Sequence, residues 1–190
     1  MLRLYVSFVL QKGHAAGPRY TKVGSGSNFL CLPDKPQWKN YTAAFQGSTG
    51  EIAGVEYQVY SSGESRTDIF SLSNNGGNAL LNNPAPCAVC YVGGRSTILM
   101  IPARTQCPDG WTTEYAGYLV SSFTGSVTPT THFRTSYICL DEAPEIAVGG
   151  ISQDQGLFYP VQVRCGSLPC SIYPTGRQMA CIVCSKWRLE

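Results

Sequence analysis

Nine cysteines are the residues of this 190-residue chain whose type and spacing can do chemistry. Two groupings are C-x-x-C pairs, Cys87-Ala-Val-Cys90 and Cys181-Ile-Val-Cys184, and two such pairs can make a tetrahedral zinc site. The residues between them argue against that use. Ala-Val and Ile-Val suit extended backbone, where positions three apart point to opposite faces and lie about 10 Å apart, beyond the reach of a mutual disulfide. Each pair is therefore expected to serve two different partners. A thioredoxin-like redox motif is disfavoured too, because no βαβ pattern surrounds either pair. Cys165-Gly-Ser-Leu-Pro-Cys170 is different: Gly166 and Pro169 can fold the segment back so that its ends meet, and a Cys165–Cys170 clip is expected. Cys107, Cys139, Cys181 and Cys184 can pair in three ways by counting alone.

A second chemistry lies between Arg134 and Arg164, a stretch without Lys or Arg that holds Asp141, Glu142, Glu145 and Asp154. Such a loop offers hard oxygen ligands for calcium, which can in turn hold a sugar's vicinal hydroxyls. The plainer reading is a solvated acidic loop, since calcium needs roughly six to eight converging oxygens. Among the aromatics that could stack on a sugar ring, Trp111, Tyr118 and Tyr159 suit a core, while Trp38 follows Pro36-Gln37 in a polar loop and is the better surface candidate. Asn40-Tyr-Thr42 is an N-glycosylation sequon. Catalysis finds little support: His14 and His132 sit in no zinc-protease motif, and no serine lies in a Gly-x-Ser-x-Gly elbow.

The elements that must position these residues are strands. Charged residues make up only 14% of the chain, and the abundance of Gly, Pro, Ser, Thr, Asn and Tyr is that of a turn-rich all-β protein. Ser96–Ile101, Thr113–Val120 and Gly156–Val163 are β-branched or aromatic runs bounded by Gly, Pro or polar clusters, hence expected strands. Asn74-Asn-Gly-Gly77 and Cys107-Pro-Asp-Gly110 are expected turns. Nine cysteines point to an oxidising compartment. The 14 basic residues against 12 acidic ones are scattered, so no phosphate-gripping stripe and no nucleic-acid partner is expected. No apolar run approaches the roughly 20 residues that span a bilayer, so no membrane segment is expected. The run Leu4–Leu10 is at the lower limit for a signal peptide, and a secretion signal is expected upstream of it.

The chain also repeats itself. Asn28-Phe-Leu-Cys31-Leu-Pro-Asp-Lys-Pro36 matches Ser136-Tyr-Ile-Cys139-Leu-Asp-Glu-Ala-Pro144, Cys87-Ala-Val-Cys90 matches Cys181-Ile-Val-Cys184, and Lys12-Gly13-His14 stands roughly where Ala116-Gly117-Tyr118 stands. Two tandem pseudo-repeat subdomains are expected, residues 1–92 and 93–190, with the seam near Val92-Gly93-Gly94. The second holds a complete set of six cysteines. The first holds Cys31, Cys87 and Cys90, and the counterpart of Cys107 would fall near Arg3.

Pro86-Cys-Ala-Val-Cys90, Ile98-Leu-Met-Ile-Pro-Ala-Arg104, Cys107-Pro-Asp-Gly-Trp111, Tyr115-Ala-Gly-Tyr118, Arg164-Cys-Gly-Ser-Leu-Pro-Cys170 and the closing Cys-Ile-Val-Cys184 together resemble the invertebrate secreted proteins called short-chain collagen C4-like. These are similar to the C-terminal non-collagenous domain of type IV collagen, and the match runs from about Gly13 onward. The resemblance implies nested disulfides, Cys107–Cys184, Cys139–Cys181 and Cys165–Cys170, with Cys31–Cys87 in the first half. Cys90 is then left over, free or bridged to another chain. No Gly-X-Y tract is present, so no triple-helical stalk is expected. The wider group is taken to include a galactose-specific, calcium-dependent lectin from sea anemones. The resemblance thus implies a secreted, non-catalytic module that binds glycans of the galactose type with calcium, for which the acidic stretch offers Asp141, Glu142, Glu145 and Asp154, or else a matrix module that associates into a homo-oligomer.

Overall fold

Short runs of β-branched and aromatic residues, cut by Gly and Pro, leave this sequence strands as its regular structure. The computed structural model describes residues 7–22, 24–39, 49–61, 64–65, 69–75, 80–123, 134–151, 153 and 155–187. Its strands are β1 (Ser7–Gly17), β2 (Leu30–Pro33), β3 (Ala53–Tyr57), β4 (Tyr60–Ser61), β5 (Glu64–Ser65), β6 (Pro86–Val92), β7 (Arg95–Pro102), β8 (Thr112–Ser121), β9 (Ile138–Asp141), β10 (Gly156–Pro160) and β11 (Ala180–Trp187). No α-helix occurs among the described residues. The expected strands at 96–101 and 113–120 are β7 and β8. The third, expected to reach Val163, ends as β10 at Pro160, which has no amide hydrogen to carry the ladder further. The backbone then turns to a new partner: Val161 donates to the Leu119 carbonyl and Met179 to the Val161 carbonyl, both at 2.9 Å. The turn at Cys107–Gly110 closes with Gly110 at φ 77° and a Trp111 amide bond to the Pro108 carbonyl.

Nine strands form one sheet in the order β2-β1-β3-β10-β8-β11-β7, with β6 also on β1 and β9 also on β8; β4 and β5 form a separate pair. The sheet curls hard at two glycines. Gly13 of β1 faces Pro33 of β2 on one edge and Cys87 of β6 on the other. Strands that flank a third lie about 9.5 Å apart in a flat sheet, yet Cys31 and Cys87 of these flanking strands have Cα atoms 5.6 Å apart. β2 and β6 therefore bend toward each other across one face of β1. A Cβ on Gly13 would stand 1.6 Å from the Leu32 carbonyl oxygen, so only glycine permits the bend. Gly117 of β8 is built the same way, between β9 and β11, with Cys139 and Cys181 5.7 Å apart and a Cβ position 1.8 Å from the Leu140 oxygen.

The turn at Gly93-Gly94 joins β6 to β7, and the sheet runs across this seam through β3 and β10, which pair in parallel with Phe158 opposite Tyr57. The larger buried cluster draws on both sides of the seam: Ala15, Val55, Tyr57, Val59, Phe70, Leu80 and Ala85 pack with Val120 and Phe158. A smaller one gathers Leu119, Val183 and the Cys139–Cys181 link, with Met100, Val161 and Met179 against it.

Candidate functional site

Cys31, Cys87, Cys90, Cys139, Cys181 and Cys184 stand on strands, and Cys107, Cys165 and Cys170 on the connections between them. Four disulfides close: Cys31–Cys87, Cys107–Cys184, Cys139–Cys181 and Cys165–Cys170. These are the pairs of the nested scheme: Cys181 and Cys184 serve two different partners, as extended backbone that turns them to opposite faces requires, whereas of Cys87 and Cys90 only Cys87 is bonded. Cys90 is a free, exposed thiol on β6. Four disulfides suit an oxidising compartment.

The described acids do not gather. Asp141, Glu142 and Glu145 are all exposed, and one Asp141 oxygen accepts the Ala143 amide at 2.8 Å. Among the described residues, no three His, Cys, Asp or Glu side chains converge as a metal ion requires. Asp154, His132 and Asn40 lie outside the described residues. His14 stands 3.6 Å from Asp34, both well exposed. Trp38 is 76% exposed. A shallow cleft lined by Phe29, Phe123 and Tyr159 leaves about 20 Å³, room for about one water and too little for a sugar ring.

Among the described residues, polar contacts and packing come together at the edge of β3. β10 pairs along it, and the Gln58 amide donates to the Phe158 carbonyl at 2.8 Å. Phe158 meets Phe29 edge-on, with ring centroids 4.8 Å apart. The segment after β9 then folds over the joint. The Glu142 carbonyl accepts the Ser71 amide, the Ala147 amide donates to the Pro84 carbonyl, and the Gln153 amide reaches Glu56 Oε1 at 2.7 Å. Ile146 packs on the larger core cluster. The Tyr57 hydroxyl donates to the Glu145 carbonyl at 2.6 Å. Burial first, then the nearby Glu145 and Asp141 carboxylates, raise the Tyr57 phenol well above its ordinary value. Burial and Asp141 raise Tyr115 likewise.

None of the residues in this joint except Glu142 and Glu145 stands out in the sequence as a site, and those two serve through their backbone carbonyls. The signal was present in the internal repeat, had it been carried from the cysteines to the positions between them. No helix among the described residues is long and apolar enough to cross a membrane. No protein-family profile matches the chain, and no solved structure matches it.

Proposed function

We propose that the protein is a secreted, non-catalytic module of the collagen non-collagenous type, made of two related halves, residues 1–92 and 93–190, that works by associating head to tail with further copies of itself. What carries the reading is the unequal burial of matching positions. With Gly13 set against Gly117 and Cys87 against Cys181, backbone bonds recur: Ala15 to Ala85 matches Leu119 to Met179, Ala85 to Val55 matches Met179 to Val161, and Asn82 to Tyr57 matches Gly176 to Val163. Asn82 and Gly176 also share positive φ, 57° and 90°.

On this correspondence Phe158, 3% exposed, matches Ile52, 50% exposed. Half-buried Phe29 matches Tyr137, 61% exposed, and buried Glu56 and Gln58 match Gln162 and Arg164, both exposed. The second half docks on the first within one chain. The same contact repeated between chains covers Gly50–Ile52 of one copy with the Gln162–Arg164 edge of the next. A contact of this heterologous kind closes into a ring if its rotation allows. Light scattering across a dilution series tests it. A discrete oligomer at a multiple of 20.6 kDa is expected; a monomer at every concentration refutes the reading.

The exposure of Trp38 favours a second reading, the calcium-assisted lectin for galactose-type sugars with Asp141, Glu142, Glu145 and Asp154 as ligands. A glycan array with and without EDTA tests that one, and no sugar signal in either condition ends it.

A further inference from the structure

Beyond the head-to-tail contact, we infer that the outer edge of β6 is a second docking edge, taken by β6 of another copy across a two-fold axis at Cys90. The repeat supplies the standard of comparison. With Cys87 set against Cys181, β6 matches β11, and with Gly13 set against Gly117, β1 matches β8. The two ladders agree down to their irregularity, since the matching residues Leu10 of β1 and Glu114 of β8 are each passed over in the pairing. β11 is paired on both edges, by β8 on one and by β7 on the other. β6 is paired by β1 alone, so among the described residues its second edge is bare.

Burial follows the pairing. Val183, Cys184 and Ser185 are buried, whereas their matches Val89, Cys90 and Tyr91 are exposed, the valine at 42% and the tyrosine at 49%. Polarity runs opposite to what a bare edge in water requires. The covered half carries Thr112, Thr113, Glu114 and Ser185, with Ser185 Oγ donating to Glu114 Oε1. The bare half carries Phe8, Val9, Leu10 and Tyr91 at those positions, and the rings of Phe8 and Tyr91 meet with centroids 5.1 Å apart. Free strand edges are ordinarily blunted by charge or proline, yet β6 has neither over residues 87–92.

The occupant is a second copy. A neutral edge meets its own copy without repulsion, and an antiparallel strand pair about a two-fold is self-complementary. The bare run 88–92 has Cys90 at its centre. With the axis there, Val89 of each copy stands opposite Tyr91 of the other, an aliphatic and aromatic cross-strand pair on the face that Phe8 shares. Phe8, Val9, Leu10, Val89 and Tyr91 leave on the order of 400 Å² of side chain exposed in each copy. Two copies, with their backbone edges, bury roughly 1,000 Å², the low end for a specific contact, so the dimer forms in the micromolar range.

Sedimentation of the full chain across a dilution series, with a short bis-maleimide as crosslinker, tests the inference. The natural chain is expected to yield a covalent dimer through Cys90 at twice 20.6 kDa, and Cys90→Ser to lose that product while sedimenting as before. Tyr91→Glu leaves circular dichroism and the melting curve unchanged and raises the dissociation constant at least about tenfold, because it sets a carboxylate against Val89 twice in each dimer. In the Cys90→Ser background, Val89→Cys chains mixed with Tyr91→Cys chains crosslink to each other faster than either does to itself; the reverse order overturns the axis at Cys90. Ile52→Lys, on the proposed head-to-tail contact, leaves the Cys90 crosslink in place. Larger oligomers that form without a Cys90 crosslink overturn the β6 contact and leave the head-to-tail reading standing, and a Cys90-linked dimer that grows no further does the reverse. A chain that stays uncrosslinked at every concentration overturns the inference, and if a synthetic Ser-Thr-Ile-Leu-Met-Ile strand then shields Cys90 from iodoacetamide, the edge belongs to a foreign strand.

Discussion

Replacing Cys139 and Cys181 together by alanine removes the link that ties β9 to β11 across β8. The link spans 42 residues of chain, and in the loop-entropy treatment its closure removes about 4 kcal/mol of freedom from the unfolded state at 25 °C. Cys165–Cys170 spans only 5 residues, which gives about 2 kcal/mol by the same relation. The gap between them widens in the folded state. Cys139 and Cys181 are buried in the smaller core cluster, so their loss also removes packed sulfur, whereas Cys165 and Cys170 sit at the surface. With a urea dependence of about 2 kcal/mol per molar, the unfolding midpoint falls by about 2 M for the first pair and about 1 M for the second. Equilibrium urea unfolding followed by far-UV circular dichroism measures both. A clip variant as damaged as the Cys139/Cys181 variant refutes the reasoning, because cross-sheet closure would then not be what holds the curl.

Three further outcomes are expected. Gly117→Ala puts a methyl 1.8 Å from the Leu140 oxygen and must pry β8 from β9, costing about 3 kcal/mol or more. Gly54→Ala meets nothing within 4 Å and stays within about 0.5 kcal/mol; thermal melts compare the two. The raised Tyr57 phenol means that the folded chain keeps a proton the unfolded chain releases above the ordinary value of 10.0. That share of stability is whole below this pH and is lost as pH climbs beyond it. Urea midpoints should therefore fall more gently at alkaline pH in Tyr57→Phe, which at neutral pH gives up about 1 kcal/mol for the bond to the Glu145 carbonyl. Iodoacetamide on the native protein labels Cys90 alone, since it is the free and exposed thiol, and mass spectrometry finding label on several cysteines contradicts the pairing.

The local parts of this fold were legible because their causes are local. Ala-Val and Ile-Val between cysteines set extended backbone, and with it the divergence of the sulfurs. Cys107-Pro-Asp-Gly110 carried its turn in its residue types. What could not be read was decided by residues far away in sequence. Gly13 and Gly117 were matched as a repeat, but that each is the line of a bend follows only from the carbonyls of Leu32 and Leu140 lying against them. Among the acids from 141 to 154, charge alone does not announce that an Asp141 oxygen accepts the Ala143 amide or that the Glu145 backbone carbonyl accepts the Tyr57 hydroxyl. Ile52 and Phe158 are both apolar, and sequence alone does not say which one lies beneath a partner strand.

The staples and the joint are physically one system. β2 meets β1 over only four positions, Gly13 to Ala16, and such a short strand is held in register chiefly by the Cys31–Cys87 bond to β6. Cys31→Ala with Cys87→Ala should accordingly loosen β2 from β1 while Cys165→Ala with Cys170→Ala leaves it in place, measured by hydrogen exchange of the β2 amides under conditions where circular dichroism shows both variants folded. Equal protection of β2 in the two variants would mean that its four-position ladder to β1 holds it without the bond.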